Sequence, residues 1–324
     1  MNRRDINRAV MLALAVGPCA VAPASAQQPA RLFRIGVLRF GVPGDDFQVG
    51  LTAALAALGY HEGRTLHSEW RWATRAEDAQ RHAAELAGMK LDLIAASTTP
   101  AALAMQAAKP QAPIVMVGAD ALGAGLVATL ARPGGNITGV SLNLTALVPK
   151  HLELLREAIP GLQRAAFLGS KEDRATPLFS QQAQAAAAAL GLSMQPVLVS
   201  QAAEFAPATA AMARDRIQAV VVQPLFAPNA GPLAEALSRN RLPSISSLQA
   251  FAAGGGLMTY GPNRSDLYKR IAAFVDRLLK GAKPADLPVE EPTLYELVLN
   301  LKTAQSIGLA MPPSLRRRAD EVIQ

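Results

Sequence analysis

The sequence predicts an α/β fold of two doubly wound parallel-sheet lobes joined by a three-segment hinge. Three observations predict it. Short apolar runs alternate with alanine-rich helical stretches, the alternation restarts after residue 150, and a tail of helix, strand and helix is left to return to the two lobes. A chain of 324 residues, half of them hydrophobic, buries its core more readily as two lobes than as one.

Residues 34–40 (RIGVLRF) read as the first strand, and 47–58 as a helix closed by Gly59. Residues 65–73 (TLHSEWRWA) alternate as a strand does, 77–88 are helical, and 91–97 (LDLIAAS) form the next strand. A helix over 100–108, a strand over 112–118, a short helix over 123–131 and a strand over 136–143 complete the first unit. The second unit runs helix 151–160, strand 164–170, helix 176–190, strand 193–200, helix 203–215 and strand 217–224. Helix 229–240 and strands 242–247 and 256–261 follow. In the tail, 265–280 is amphipathic, with Leu267, Ile271, Phe274, Val275, Leu278 and Leu279 on one face, and Gly281 and Pro284 end it. A strand over 293–300 and a helix over 302–308 come last. If these pieces complete both lobes, the chain crosses near Asn143, Gly261 and Glu290. Residues 31–142 with 262–289 then form one lobe, and 143–261 with 290–324 the other. Three crossings make a hinge, not a flexible tether.

The N-terminus has the form of an export signal over residues 1–26. Arg3, Arg4 and Arg8 precede an apolar stretch over 9–16, and Pro23-Ala24-Ser25-Ala26 offers small residues for a cut after Ala26. Arg3-Arg4 leaves both the twin-arginine and the general route open. Cys19 is the only cysteine; Pro18 before it is a poor fit for a lipoprotein acylation site, and the expectation is that it leaves with the signal, so that the mature chain has no thiol and no disulfide. The formal net charge is +7, and the signal accounts for three arginines against one aspartate, leaving about +5. Those basic residues are scattered, which argues against nucleic acid. The four histidines, His61, His67, His82 and His151, have no metal-ligand spacing, and no G-x-S-x-G elbow occurs. Neither an enzyme, a metal nor a cofactor is expected. Arg316-Arg317-Arg318 reads as a solvated face.

Candidate binding residues lie where strands end. The strand over 91–97 ends in Ser97-Thr98-Thr99, and Pro100 opens a helix. Proline suits the first helical position, which puts Thr99 at the N-cap. Capping accounts for Thr99 but not for Ser97 and Thr98. In a doubly wound lobe the carboxyl ends of strands face the ligand crevice. Helix-start amides with adjacent hydroxyls suit an anion there, such as a carboxylate. Phe40 and Gly41 follow the first strand, and Gly118 and Asp120 the third central one. Asp120 can cap the next turn or receive an ammonium group. Asn143 stands at the first crossing. The second unit offers Gln223, Phe226 and Asn229 after one strand and Ser246 at another. Phe226 can serve as core or as an apolar wall. Gly134-Gly135 and the 254–256 glycines are tight turns, since no phosphate-loop pattern is present.

Several segments resemble one family: LTAALAALGYHEGRTLHSEWRWA, STTPAALAMQAAKPQAPIVM, GAGLVATLARPGGNITGVS, KHLELLREAIPGL, GGGLMTYGPN and LLKGAKPADLPVEEPTLYELVLNLKTAQSIGL. The chain is similar to exported substrate-binding proteins of ABC transporters, of the tryptophan/tyrosine type. The resemblance implies the periplasmic binding protein type I fold and capture of a small ligand between the lobes. It also implies a periplasmic location and delivery to an ABC permease and its ATPase. Ser97, Thr98 and Thr99 match the family's hydroxyl-rich turn and Asp120 its acidic strand end, although Ala121 stands where the family usually has proline. The expectation is capture of an amino acid, aromatic in the leading case, with its carboxylate on Ser97–Thr99 and with Phe40 and Phe226 as walls. Two alternatives are a ligand-sensing partner of a membrane receptor and an exported α/β enzyme.

Overall fold

Parallel strands buried on both faces need near-continuous apolar sequence, and the central strands have it. The computed structural model describes residues 31–324; the export signal expected over 1–26, with Cys19 and the cut after Ala26, lies outside them. The first unit runs β1 (Phe33–Phe40), α1 (Asp46–Ala57), β2 (Leu66–Ala73), α2 (Ala76–Gly88), β3 (Leu93–Ser97), α3 (Thr99–Ala108), β4 (Ile114–Gly118) and β5 (Ile137–Ser141). Its sheet has the order β2-β1-β3-β4-β5, all parallel. Ile35 and Val37 pack with Phe47, Leu51 and Leu55 of α1, and Leu38 packs on the other face with Leu86 of α2 and Met105 of α3. That period of two is what puts helices on both sides.

The second unit runs α4 (Val148–Ala158), β6 (Arg164–Ser170), α5 (Thr176–Ala189), β7 (Ser193–Val199), α6 (Phe205–Arg214), β8 (Ala219–Val222), α7 (Ala230–Arg239), β9 (Ser244–Ser246), α8 (Ala250–Ala253) and β10 (Met258–Pro262). The tail is α9 (Arg264–Leu279), β11 (Tyr295–Asn300), α10 (Leu301–Ser306), α11 (Pro313–Arg318) and β12 (Glu321–Ile323). The second sheet has the order β12-β11-β10-β9-β8-β6-β7, with only the β10–β11 pairing antiparallel. Helix α9 returns to the first sheet, where Ile271, Phe274 and Val275 join the cluster of Ile35 and Val37.

Three stretches connect the two α/β lobes. After β5, Leu142, Leu144 and Leu147 carry the chain into α4 and extend one apolar cluster from the first lobe into the second. The second connection passes from β10 into α9. The third lies beside β5, where Glu290 N donates to Gly139 O and Ser141 N to Glu290 O, both at 2.9 Å, before the chain reaches β11.

His151 ties two of these stretches together. Its Nε2 is 2.8 Å from the Tyr260 carbonyl oxygen, joining α4 to β10. The ring is fully buried, and burial pushes its pKa down from 6.5 to about 4. The unfolded chain therefore binds a proton that the folded chain refuses. Stability from this group is complete above pH 6.5 and is lost as the pH falls towards 4, by about 3 kcal/mol. Urea unfolding at pH 7 and pH 4.5 should show this loss, and His151→Gln should lose less than wild type over the same interval.

The structure departs from the sequence expectation in three places. Residues 123–131 form turns, not a helix. Gly125 takes a left-handed φ of +69°, and so short a segment with glycines at its start does not repay helix nucleation. Helix α8 and the terminal α11–β12 pair were not anticipated; each is too short to show a period. Arg316–Arg318 form the last turn of α11, where Arg318 pairs with Glu157 at 2.7 Å.

Candidate functional site

In the first sheet the chain steps from β1 outward to β2, then returns to β3 on the other side of β1. The order reverses between β1 and β3, and the crevice beyond their carboxyl ends is the switch point where α/β sheets take ligands. Phe40-Gly41 and Ser97-Thr98-Thr99 stand there.

All three hydroxyl oxygens act as acceptors. Ser97 Oγ accepts from Arg39 Nη1 at 2.8 Å, Thr99 Oγ1 from the Ala119 N–H at 2.9 Å, and Thr98 Oγ1 weakly from the Ala101 N–H at 3.5 Å. None of the three O–H groups donates to any described residue. Elsewhere buried hydroxyls give their proton to a carbonyl, as Ser246 does to Val222 O at 3.0 Å and Thr138 to Leu287 O at 2.8 Å. The strand end thus presents up to three unspent donors at the start of α3, where Pro100 has no N–H and the Ala101 N–H is held weakly by Thr98. Hydroxyl donors of this kind can pair with an anion such as a carboxylate.

Thr98, not Thr99, is the N-cap of α3, which corrects the sequence expectation. Thr99 takes the first helical position because its hydroxyl is drawn to Ala119, and Pro100 follows in the first turn, where proline remains acceptable. Thr98 has φ +102° and ψ 152°, a conformation usual only for glycine. A β-branched residue held there stores about 1–3 kcal/mol. Thr98→Gly should therefore leave stability unchanged or raise it by about 1 kcal/mol, after the loss of the cap and the extra freedom of the unfolded chain. Ligand affinity should fall. Paired thermal melts and titrations of the variant check both.

Arg39 organises this end of the lobe and was missed in the sequence, where no motif marks it. Its Nε meets Asp45 Oδ2 at 2.5 Å, and its guanidinium lies 4.5 Å from the centre of the Phe47 ring. Asp45 in turn caps α1 by accepting from the Gln48 N–H at 3.0 Å. Gly41 is glycine for space: a Cβ there would stand 2.6 Å from Asp45 Oδ2. Phe40 is half-buried and packs on the α2–α3 side.

At the end of β4, Gly118 O accepts from the Leu142 N–H at 2.8 Å. Asp120 Oδ1 accepts from the Gly123 N–H at 2.9 Å, so this carboxylate holds its own turn. A Cβ on Gly123 would lie 3.3 Å from Leu178 of α5, which puts this loop against the second lobe. Asn143 has a left-handed φ of +47°, and its side chain caps nothing.

The second sheet reverses between β6 and β8, at Ser170 and Gln223. Gln223 is buried, and its side chain is spent within the lobe. Oε1 accepts from the Ser170 N–H at 2.8 Å and the Thr176 hydroxyl at 3.0 Å, while Nε2 donates to Asp173 Oδ2 at 2.7 Å. Phe226 is 8% exposed and meets Phe205 edge-on at 5.3 Å, so its ring is core. Ser246 gives its proton to Val222, and Asn229 is exposed ahead of α7 without capping it. Gln223, Phe226 and Ser246 thus serve the lobe's own structure. Asp173, which the sequence reading passed over, is half-buried at the same switch point, and desolvation raises its pKa.

A separate cavity of about 730 Å³ lies between α1, α9 and the second lobe, lined by Gly50, Ala53, Tyr268, Arg264, Asn263 and Glu296. Among the described residues no group of three His, Cys, Asp or Glu side chains could hold a metal ion. No helix among them is long and apolar enough to cross a membrane.

Residues 43–323 match the family model described as ABC transporter substrate binding protein. A tyrosine-binding protein of Clostridioides difficile is 24% identical over 268 residues, which cover 82% of this chain and 77% of that protein. Among solved structures, an ABC domain in complex with L-Trp from Streptococcus pneumoniae gives a TM-score of 0.82 at 27% identity, over 90% of this chain and 99% of that one. A conserved domain protein of Vibrio cholerae gives 0.83 at 23% identity with the same coverage.

Proposed function

The chain belongs to the ABC transporter substrate-binding protein family, and on that premise we propose that it captures an aromatic amino acid between its lobes for an ABC permease and its ATPase. The fold is that of type I periplasmic binding proteins, two α/β lobes, one with a parallel and one with a mostly parallel sheet. We take residues 31–142 with 262–289 as one lobe and 143–261 with 290–324 as the other, and the protein as exported to the periplasm by its first 26 residues.

One observation carries the ligand class: the three unspent hydroxyls of Ser97, Thr98 and Thr99 at the switch point. Preformed donors bind an anion without reorganising, so less of the interaction is lost to ordering. The half-exposed ring of Phe40 supplies apolar surface beside them. The relatives that bind tyrosine and L-Trp support an aromatic side chain. Capture needs no bond to form or break. Ligand bridging the strand ends of both lobes favours the closed arrangement, and the permease distinguishes closed from open by differential affinity.

A thermal-shift screen of the twenty amino acids against sugars and purines tests this. A ligand at about 100 times its Kd adds about 2.7 kcal/mol to stability. L-tryptophan or L-tyrosine should raise the Tm by several degrees. A shift with sugars alone would refute amino-acid capture.

A further inference from the structure

A zwitterion needs a second pole, and Asp120, the sequence candidate for it, stands in the same lobe as the hydroxyls and spends Oδ1 on its own turn, so it does not bridge the lobes. We propose that Asp173 of the second lobe receives the ammonium group of the bound amino acid and so sets the preference for amino acids over simple carboxylic acids. This assignment rests on the amino-acid capture argued above.

Position comes first. Asp173 stands in the loop after β6, at the switch point of the second sheet, as Ser97–Thr99 stand at that of the first. A string of contacts joins the two. Thr99 holds Ala119, the turn of Asp120 and Gly123 follows, and Gly123 lies against Leu178 in the first turns of α5, whose entry loop contains Asp173.

Orientation comes next. The Gln223 carbonyl oxygen is pinned by the Ser170 N–H and the Thr176 hydroxyl, which fixes where its amide nitrogen points. That nitrogen donates to Asp173 Oδ2 at 2.7 Å, while Oδ1 accepts from the Ala175 N–H at 3.0 Å. Each oxygen thus takes one neutral donor and keeps acceptor capacity for another. The carboxylate is aimed before any ligand arrives.

Charge completes the case. Asp173 has no salt-bridge partner among the described residues, and the nearby Lys171 pairs with Glu204 at 3.5 Å. Burial raises its pKa with no cation to offset it. A half-buried carboxylate without a countercharge is a receptor for a cation, and an ammonium group is the cation that a carboxylate-bearing guest brings.

The test pairs each amino acid with its des-amino analogue by calorimetric titration. L-tryptophan is set against 3-(indol-3-yl)propionate, and L-tyrosine against 3-(4-hydroxyphenyl)propionate. Wild type should bind the amino acid more tightly than the analogue. Asp173→Asn and Asp173→Ala should each weaken amino-acid binding by about 10- to 100-fold and leave the analogue's affinity unchanged or improved. Structural damage would weaken both alike, so an equal fall overturns the role of Asp173. Equal wild-type affinity for amino acid and analogue also overturns it, while leaving carboxylate capture standing. If wild type binds none of the four compounds, amino-acid capture itself fails, and this role with it.

Discussion

Replacing Ser97 by alanine and Thr98 by valine together should lower the affinity for L-tryptophan or L-tyrosine by about 100-fold or more. A hydrogen bond to a charged group contributes about 1.5–3 kcal/mol, and two such donors are removed. Each 1.4 kcal/mol is about tenfold in affinity. The fold should survive. Valine is β-branched like threonine, so the strain at φ +102° is unchanged, and the weak cap that is lost is worth about 1 kcal/mol. Arg39 keeps its Asp45 partner when Ser97 is gone. Calorimetric titration with a parallel melt separates the two effects. Affinity within threefold of wild type would remove these hydroxyls from the site.

The largest effect on stability should come from Gly261→Ala. A Cβ on Gly261 would fall on the carbonyl oxygen of Ser247, with the carbonyl carbon and Cα of that residue close behind. All three belong to backbone, so no side chain can swing away. Relief requires β10 to part from β9, with which Met258 and Thr259 are in register, just where the chain leaves the second lobe for α9. Overpacking a tight site costs about 1–3 kcal/mol, and a clash with backbone lies at or beyond the upper end. The expected loss is at least about 3 kcal/mol in urea unfolding, or failure to accumulate as folded protein. Gly135→Ala is the control, since nothing lies within 4 Å of its Cβ position; it should shift stability by less than about 0.5 kcal/mol. A Gly261→Ala protein as stable as that control would mean that strands β9 and β10 do not approach as described.

The fold was legible because its signals are local and repeated. Apolar runs such as IVMVG at β4 are buried along their whole length, and the single helical face of residues 265–280 is the face that joins the first lobe's core. Legibility failed where length was too short for a period, as at α8 and β12, and where glycine broke an apparent helix over 123–131. The site was legible only in part. Ser97–Thr99 stood out because three hydroxyls at a strand end exceed what one cap requires. Which of them caps depended on a tertiary partner, the Ala119 amide, that no local spacing shows. Gln223 and Phe226 have side chains suited to a ligand, but Ser170, Thr176, Asp173 and Phe205, all remote in sequence, claim them. Arg39 and Asp173 went unseen for the same reason. A single charged residue in a loop carries no pattern until the fold brings its partners.

Capture of an amino-acid carboxylate at the first lobe's switch point is tested most directly by a crystal structure of the protein grown with L-tryptophan or L-tyrosine. The ligand carboxylate should lie within hydrogen-bond distance of the hydroxyls of Ser97, Thr98 and Thr99, with the second lobe closed over it. An amino acid found instead in the cavity between α1 and α9, with those hydroxyls untouched, would contradict the account.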